Sequence, residues 1–211
     1  MKKVLIIGAT GNVGKNLVDL CLANNYQVVA YSPSALKNLE AKPNLKRVAG
    51  DIFELPLLIL EAKSADVVFS CLGTHDGDLN HEVLYTGMHS IIEALQRASV
   101  KRIIAIGGAG CLTLKESQEL FHNNPEFPEF LKSISHAHQR ALLQLEVSKL
   151  TWTFVCPPNM YNDAGQSKDW RWQETYLLEN TGKISYLNCA KAMLKAFEDS
   201  LCLEKKMALS E

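Results

Sequence analysis

The sequence has almost no excess of charge of one sign, with 22 Lys and Arg against 23 Asp and Glu in 211 residues. The basic patch that would attract nucleic acid or an anionic membrane is therefore missing, and a small-molecule partner is favoured. Runs of about 20 apolar residues, which a membrane span requires, are also missing. The apolar run after Lys2 and Lys3 ends at Gly8, short of the roughly seven residues of a signal-peptide core. We expect a cytoplasmic protein.

Paired cysteines are lacking as well. The six cysteines are scattered without a C-x-x-C pair, and several lie in apolar runs, where a thiol behaves as a small hydrophobe. We therefore expect reduced, structural thiols. No metal site is expected either, because His136 and His138 lie two residues apart on a predicted helix, where side chains diverge by about 200°. No third ligand has a suitable spacing.

What the sequence does contain is a repeated alternation of strand and helix. Val4-Leu5-Ile6-Ile7 is a continuous apolar run closed by glycine, typical of a strand buried on both faces, and residues 12–23 follow with helical spacing. Further strands are predicted at residues 27–31, 47–49, 65–70, 102–106 and 151–156, and the longest helices at residues 80–98, 130–150 and 188–200. This alternation predicts an α/β fold with a Rossmann-type, doubly wound parallel sheet.

Two segments interrupt the alternation, residues 111–129 and residues 157–182. In an open α/β sheet, long insertions after the carboxyl ends of strands overhang the ligand crevice. We therefore predict a single domain over residues 1–211, in which the two insertions form a small C-terminal substrate lobe.

Residues 8–14 read G-A-T-G-N-V-G, directly between the first predicted strand and the first predicted helix. Gly8 permits a tight turn, Gly11 lets backbone approach a pyrophosphate, and Gly14 allows the helix to pack closely on the strand. The helix N-terminus then offers free N–H groups and the positive end of its dipole to an anion. A tight turn without a ligand is the alternative. The position at the start of a βαβ series favours dinucleotide binding.

The sequence of residues 6–14 resembles the opening of the atypical short-chain dehydrogenases of the NmrA-like, NAD(P)H-binding family. Gly50-Asp51-Ile52 is similar to the family's block after the third strand, and Cys71-Leu72-Gly73 resembles the loop after the fourth. Residues 107–110, G-G-A-G, and 152–158, W-T-F-V-C-P-P, resemble later blocks of the NADH-flavin reductase and biliverdin reductase B types. The resemblance extends from Lys3 to about Ala196.

This resemblance implies a single NAD(P)-binding Rossmann domain whose ligand contacts the glycine motif and the loops after successive strands. The cofactor-binding residues it implies are Gly8, Thr10, Gly11, Asn12, Val13, Tyr31, Ser32, Asp51, Ile52, Cys71, Leu72, Gly73 and Gly107. It also implies that the turn after the sixth strand lies beside the nicotinamide and contacts the substrate. The residues of that turn are Pro157, Pro158, Asn159 and Met160, of which the prolines stiffen the wall of the site.

The choice between NAD and NADP depends on the end of the second strand, where an acidic side chain binds a ribose 2′-hydroxyl and an arginine accepts a 2′-phosphate. Residues 28–33, V-V-A-Y-S-P, offer neither. Many relatives carry arginine at the position of Tyr31. Ser32, Ser34 and Lys37 can still bind a phosphate, and no carboxylate repels one, so we slightly favour NADP(H) over NAD(H). A solvated charge on a helix explains Lys37 equally well.

Typical members of the wider superfamily use a Tyr-x-x-x-Lys pair and a serine, in which the tyrosine donates a proton and the lysine lowers its pKa. This sequence has Ile134 and His138 at the positions of the pair, and Gly107-Gly108 where the serine would be. The triad is absent. His138 is the candidate catalytic residue, because an imidazole there can donate a proton or bind the ribose. A polar helix histidine near the surface is the alternative.

We therefore predict an NAD(P)H-binding oxidoreductase that reduces a small planar acceptor, such as a flavin or quinone, by direct hydride transfer. The protein would supply orientation and exclusion of water. A second hypothesis is a non-catalytic regulator that senses NADP(H) and acts through a protein partner. A third is an enzyme similar to the sugar-nucleotide epimerases and dehydratases, which the missing tyrosine and the short C-terminal lobe disfavour.

Overall fold

A computed structural model of the protein describes residues 1–74, 80–163 and 168–211, and its helices and strands lie within these ranges. The strands are β1 (Lys3–Ile7), β2 (Gln27–Tyr31), β3 (Leu45–Val48), β4 (Val67–Ser70), β5 (Arg102–Ile106), β6 (Thr151–Cys156), β7 (Asn159–Tyr161), β8 (Arg171–Glu174), β9 (Lys183–Ser185) and β10 (Lys205–Ser210). The helices are α1 (Asn12–Ala23), α2 (Ala35–Asn38), α3 (Leu55–Ala62), α4 (Glu82–Arg97), α5 (Lys132–Glu146) and α6 (Tyr186–Glu198).

Within the described residues, an eight-stranded sheet runs in the order β3-β2-β1-β4-β5-β6-β10-β8. Its strands are parallel except β8, which pairs antiparallel with β10 at the edge. The strands β7 and β9 form a separate parallel pair. The order reverses between β1 and β4, and such a switch point opens a crevice at the carboxyl ends of the strands. The prediction of a Rossmann-type, mostly parallel sheet is confirmed.

Helices cover both faces of this sheet, which explains the continuous apolar sequence of β1. Leu5 and Ile7 belong to the core on one face, and Val4 and Ile6 belong to the core on the other. The first core includes residues of α3, α4 and α5, and the second includes residues of α1 and α6. Alternate side chains of a strand point to opposite faces, so a strand between two layers of helices must be apolar at every position.

The structure differs from the sequence-based prediction in several elements. The predicted strands at residues 47–49 and 65–70 correspond to β3 and β4, which have other bounds. The helices predicted at residues 80–98 and 130–150 are shorter at both ends, and the helix predicted at residues 188–200 begins and ends two residues earlier. The strand β10 was not predicted, although Met207, Ala208 and Leu209 are buried within it. These residues lack the β-branched side chains typical of strands, so tertiary packing determines their conformation.

The two predicted insertions meet each other in the structure. The backbone N–H of Thr113 donates to the carbonyl of Thr175 at 3.0 Å, and the N–H of Leu177 donates to the carbonyl of Thr113 at 2.9 Å. Part of the second insertion, β8, joins the edge of the main sheet. Residues 164–167 of that insertion lie outside the described residues.

All six cysteines are free thiols, and five of them are buried. Burial raises the pKa of Cys21, Cys189 and Cys202 to about 12 in each case, so these thiols stay protonated and unreactive near neutral pH. Burial of five of the six thiols supports the prediction that they are structural. Among the helices of the described ranges, none is both long and apolar enough to cross a membrane.

Candidate functional site

The turn after β1 can be formed only with glycine at its first position. Gly8 has a φ of +74°, and a Cβ atom there would lie 2.5 Å from the carbonyl oxygen of Cys71, which follows β4. Both the left-handed backbone and the close contact exclude a side chain. The loops after β1 and β4 therefore touch each other at the switch point of the sheet.

The other two glycines of the motif have different roles. A Cβ atom on Gly14 would lie 2.2 Å from the carbonyl oxygen of Gly8, so close packing of α1 on the turn requires this glycine. Gly11 has an extended backbone, with φ −73°, and the nearest atom to its Cβ would be the Gly8 carbonyl oxygen at 3.4 Å. Gly11 is exposed, and the turn has room for a side chain there. A ligand that approaches the backbone accounts for this glycine better than packing does.

The N-terminus of α1 fits an anionic ligand. The N–H of Lys15 binds the carbonyl of Gly11 at 2.9 Å, which closes the first turn of the helix. Among the described residues, no side chain caps this helix and no acidic residue lies in its first turn. The free N–H groups of Asn12 and Val13 and the positive end of the dipole are therefore available to a pyrophosphate.

Three hydroxyl groups meet between the glycine turn and the end of β2. Thr10 Oγ1 lies 2.7 Å from Ser32 Oγ and 3.1 Å from Ser34 Oγ. The N–H of Ser34 also donates to Ser32 Oγ at 3.4 Å. A hydroxyl group both donates and accepts and can rotate to suit its partner. This hydroxyl cluster (Thr10, Ser32 and Ser34) can therefore bind either a ribose hydroxyl or a phosphate.

The side chain of Tyr31, which was expected at the ribose, lies instead in the core. It is 1% exposed, and its hydroxyl donates to the carbonyl of Asp51 at 2.8 Å. A Cβ atom on Gly50 would lie 2.4 Å from the tyrosine ring, so Gly50 makes room for it. Burial raises the pKa of Tyr31 to about 12. The carbonyl of Tyr31 accepts from the N–H of Gly8 at 3.0 Å, which holds the glycine turn in place.

The residues expected beside the adenosine are brought to one side of the crevice. Both Leu72 and Ile52 pack on Gly87 of α4, where an added Cβ would lie 2.7 Å and 3.4 Å from their side chains. Asp51 is exposed at the end of this surface. Gly73 is exposed, with no atom within 4 Å of the position of its Cβ.

The two glycines after β5, which stand where the superfamily has a serine, differ in the room they leave for a side chain. A Cβ atom on Gly107 would lie 2.1 Å from the ring of Phe154, so no side chain fits there unless that ring moves. At the next residue, Gly108, an added Cβ would lie 3.5 Å from Cδ2 of His138. His138 of α5 is therefore beside the carboxyl end of β5.

The low pKa of His138 makes it a poor general acid at pH 7. Burial, assisted by His81, lowers the pKa of His138 from 6.5 to about 4. The ring is therefore neutral at pH 7, and an efficient general acid needs a pKa near the working pH. His81 itself lies on the loop before α4, with Nδ1 3.3 Å from Thr74 Oγ1.

The contact between His122 and His136 could not be predicted from the sequence. His122 is 2% exposed, and its Nδ1 lies 2.9 Å from Ser135 Oγ. The His122 and His136 rings have centroids 4.7 Å apart, and burial together with His136 lowers the pKa of His122. The pair ties residues 111–129 to α5. No local pattern indicates it, because the two partners lie in separate elements.

The expected substrate turn is held against the loop after β5. The carbonyl of Pro157 accepts from the N–H of Ala109 at 2.9 Å. Pro157 is buried and Pro158 is half-buried, whereas Asn159 and Met160 belong to β7. The turn therefore lies beside Gly107, at the same edge of the sheet as the glycine turn. In the part of the chain that the structure describes, no three His, Cys, Asp or Glu residues are grouped as a metal site.

The strand order, the glycine turn at the switch point and the uncapped helix N-terminus define a dinucleotide-binding protein of the Rossmann type. A family model described as NAD(P)H-binding matches residues 8–200. The chain therefore belongs to this NAD(P)H-binding family, which confirms the recognition made from the sequence motifs.

Among similar proteins, the uncharacterized protein YwnB of Bacillus subtilis is 27% identical over 202 residues, which cover 93% of this chain and 92% of that protein. A proposed NADH-flavin reductase of Streptococcus pneumoniae superposes with a TM-score of 0.86 and 22% identity, covering 100% of both chains. A short-chain dehydrogenase/reductase of Veillonella parvula, solved in complex with NADP, gives a TM-score of 0.78 and 19% identity, covering 100% of this chain and 94% of that one. The chain has the fold of NAD(P)H-binding oxidoreductases.

Proposed function

We propose that this protein is an NAD(P)H-dependent reductase of a planar acceptor such as a flavin or quinone. The observation that carries this proposal is the environment of His138 beside Gly108. The expected tyrosine position holds Ile134, and the imidazole that replaces the lysine has a pKa of about 4. Because the protonated imidazole is scarce at pH 7, we expect a reaction here that needs no proton from His138, and the reduced form of a flavin or quinone can take its proton from water.

The dinucleotide would be held along the crevice by backbone and small side chains. The turn from Gly8 to Val13 and the N-terminus of α1 would bind the pyrophosphate, because they offer N–H groups without an obstructing side chain. Asp51, Ile52, Leu72 and Gly73 would contact the adenosine, with Cys71 behind them. When bound, the dinucleotide supplies the hydride, and the chain orients it toward the acceptor.

Within this proposal the protein prefers NADP(H) to NAD(H). The hydroxyl cluster of Thr10, Ser32 and Ser34 lies at the end of β2, where the 2′ position of the ribose is read in this fold. No acidic side chain follows Tyr31 in residues 32–35 to repel a phosphate. Hydrogen bonds from hydroxyl groups to a phosphate are charge-assisted and stronger than those to a ribose hydroxyl.

The acceptor would lie over the nicotinamide, between Gly107 and the turn at residues 157–160. The substrate lobe, whose described residues are 111–129, 157–163 and 168–182, would form the outer wall of the acceptor site. The contact of Thr113 with Thr175 and Leu177 supports this assignment, because it joins the two segments into one unit.

Acceptor-dependent consumption of NADPH and NADH, followed at the nicotinamide absorbance, tests the proposal. Flavins and quinones should each be offered as the acceptor. We expect consumption with at least one of these acceptors and its loss in the variant Gly11→Val, which should fold but bind no dinucleotide. Binding of the dinucleotide without consumption by any acceptor would contradict the reductase proposal and favour the sensing regulator.

A further inference from the structure

The turn at residues 157–160, proposed to contact the acceptor, continues into a strand that has few neighbours. Within the described residues, β7 pairs with β9 alone, with Asn159 opposite Lys183 and Tyr161 opposite Ser185. An isolated pair of short strands is marginally stable at best. The position of the turn therefore depends on further contacts that hold β7 in place.

Glu211 supplies such a contact from the main sheet. It directly follows β10, which runs parallel to β6, so Glu211 lies at the carboxyl edge of the sheet, as the proposed crevice does. The N–H of Glu211 donates to the carbonyl of Lys183 at 3.0 Å, and the hydroxyl of Tyr161 donates to Glu211 Oε2. A single residue therefore contacts both strands of the pair formed by β7 and β9.

The same carboxylate binds the first turn of α6. Glu211 Oε1 accepts from the N–H of Ser185 at 2.9 Å and from Asn188 Nδ2 at 2.8 Å, and both of these partners are buried. Ser185 Oγ in turn accepts from the N–H of Asn188 at 3.1 Å, as the N-cap of α6. Because α6 shares a core with α1, Glu211 connects β7 to a well-packed part of the domain.

The hydrogen bond between Tyr161 and Glu211 is charge-assisted near neutral pH. Partial burial alone would raise the pKa of Glu211, but its hydrogen bonds outweigh that effect and the pKa lies below its usual value. Donation to this carboxylate raises the pKa of Tyr161, whose hydroxyl also forms a hydrogen bond with Lys168. A hydrogen bond to a carboxylate is roughly twice as strong as one between neutral groups. The bond is therefore suited to fixing the end of β7.

The turn is thereby anchored at both of its ends. At the first end, the carbonyl of Pro157 accepts from the N–H of Ala109 at 2.9 Å. At the other end, Tyr161 is bound by Glu211. Residues 158–160, which the acceptor would meet, lie between the two anchors. Release of the second anchor would free them, whereas the glycine turn after β1 keeps its own contacts with the ends of β2 and β4.

We propose that Glu211 is a positioning residue of this site: acting through Tyr161, it holds the turn at residues 157–160 where the acceptor binds. This assignment rests on the proposed reductase function. Loss of the bond would lower the fraction of molecules in which the turn is in place, and the apparent affinity for the acceptor falls in proportion to that fraction. The dinucleotide, held by the glycine turn and α1, would bind as before.

The test measures acceptor reduction in Tyr161→Phe, which removes the hydroxyl and keeps the ring. With riboflavin or menadione as the acceptor and saturating dinucleotide, we expect the KM for the acceptor to rise about tenfold while kcat changes little. The Kd for the dinucleotide, from calorimetric titration, should stay within about twofold of wild type, because the two sites are separate. Glu211→Gln should also raise the KM. The double variant should raise it by less than the product of the two single effects, since both changes weaken the same bond.

Tyr26→Phe is the matched control. The hydroxyl of Tyr26 donates to Glu198 Oε1 at 2.6 Å, so this variant also removes a bond between a tyrosine and a glutamate. Tyr26 precedes β2 and Glu198 ends α6, so this pair lies at the opposite edge of the sheet from the turn. A loss of stability alone should therefore appear in both variants, whereas the rise in the KM should appear only in Tyr161→Phe.

Hydrogen exchange followed by mass spectrometry tests the contact without turnover. Peptides that contain residues 159–163 should exchange faster in Tyr161→Phe than in wild type, and peptides from α1 should not. If an acceptor is reduced and its KM is the same in Tyr161→Phe and wild type, or rises equally in Tyr26→Phe, the positioning role is wrong while the reductase function stands. If no flavin or quinone is reduced, the reductase function fails. Faster exchange would then still support the role of Glu211 in holding the turn, and unchanged exchange would overturn it.

Discussion

The hydroxyl groups of Thr10 and Ser32 lie 2.7 Å apart and join the glycine turn to the end of β2. Thr10 comes from the loop after β1, and Ser32 is 5% exposed at the loop after β2. Because Ser34 also approaches Thr10, at 3.1 Å, three rotatable donors converge on one point. In Rossmann folds the end of the second strand is where the 2′ position of the adenosine ribose is read, and our proposal for cofactor choice depends on this cluster.

A negative charge in the hydroxyl cluster should reverse the cofactor preference. In Ser34→Asp we expect the ratio of the Kd for NADPH to the Kd for NADH to rise about 10- to 100-fold, because charge-assisted contacts worth about 1.5–3 kcal/mol are replaced by repulsion. Ser34→Asn has a similar shape without the charge and serves as the control. Calorimetric titration measures both constants. An unchanged ratio in Ser34→Asp would place the 2′ group elsewhere.

The buried hydroxyl of Tyr31 should affect stability and not cofactor choice. Tyr31→Phe removes the hydrogen bond to the Asp51 carbonyl, so we expect the free energy of unfolding to fall by about 1 kcal/mol. Tyr31→Arg would place a guanidinium in the core and should cost several kcal/mol without creating a 2′-phosphate site. Denaturant unfolding measures the free energy. A shift of more than about threefold in the ratio of NADPH to NADH affinity in Tyr31→Phe would contradict this role.

The neutral state of His138 should make the protein sensitive to acid. The pKa of His138 falls from 6.5 to about 4 on folding, so between these values the unfolded chain binds more protons than the folded one. Stability is therefore fully present above pH 6.5 and decreases as the pH falls toward 4, by at most about 3 kcal/mol from this group. In His138→Gln, the free energy of unfolding, measured by chemical denaturation, should depend less steeply on pH over this range. His89→Gln, which changes an exposed histidine, serves as the control. An equal pH dependence of the unfolding free energy in His138→Gln and wild type would show that burial does not hold the His138 ring neutral.

Turnover should depend little on His138. A proton donated in the transition state is worth about 10² to 10⁴ in rate, whereas a residue that only shapes the site contributes less. Because the imidazole has a pKa of about 4, we expect His138→Ala to lower kcat less than about tenfold with a flavin acceptor. Steady-state kinetics at saturating cofactor measures the effect. A loss above a hundredfold with an unchanged melting temperature would identify this histidine as the catalytic acid.

The sequence was sufficient to predict the parallel sheet and the glycine turn, because both depend on local patterns. The run Val4-Leu5-Ile6-Ile7 and the spacing of Gly8, Gly11 and Gly14 show in the printed residues how β1 and α1 join. The family resemblance also predicted that Tyr31, at the end of β2, contacts the cofactor. It could not show that the tyrosine side chain turns into the core, because that depends on the space left by Gly50 on the loop after β3.

The remaining features join residues that are distant in the sequence. The pairing of β10 with β6 brings Glu211 to Tyr161 and Ser185, and the sequence of β10 carries no strong strand signal. Similarly, His122 of the segment 111–129 contacts Ser135 of α5. Contacts of this kind depend on tertiary packing. They have no characteristic spacing in the sequence, so the sequence alone could not predict them.

Thermal unfolding of the wild-type protein and of Gly11→Val, with and without each of NADPH, NADP, NADH and NAD, tests dinucleotide binding most directly. At about 100 times its Kd a ligand stabilises the native state by roughly 2.7 kcal/mol, which raises the melting temperature by several degrees for a chain of this size. We predict such a rise in the wild type with at least one dinucleotide. Gly11→Val should keep its circular dichroism spectrum, because the turn has room for a side chain there, and should melt at most a few degrees lower without ligand, because valine is a poorer N-cap of α1 than glycine. It should show no rise with any dinucleotide. No rise in the wild type with any of the four dinucleotides, or an equal rise in Gly11→Val, would contradict the account.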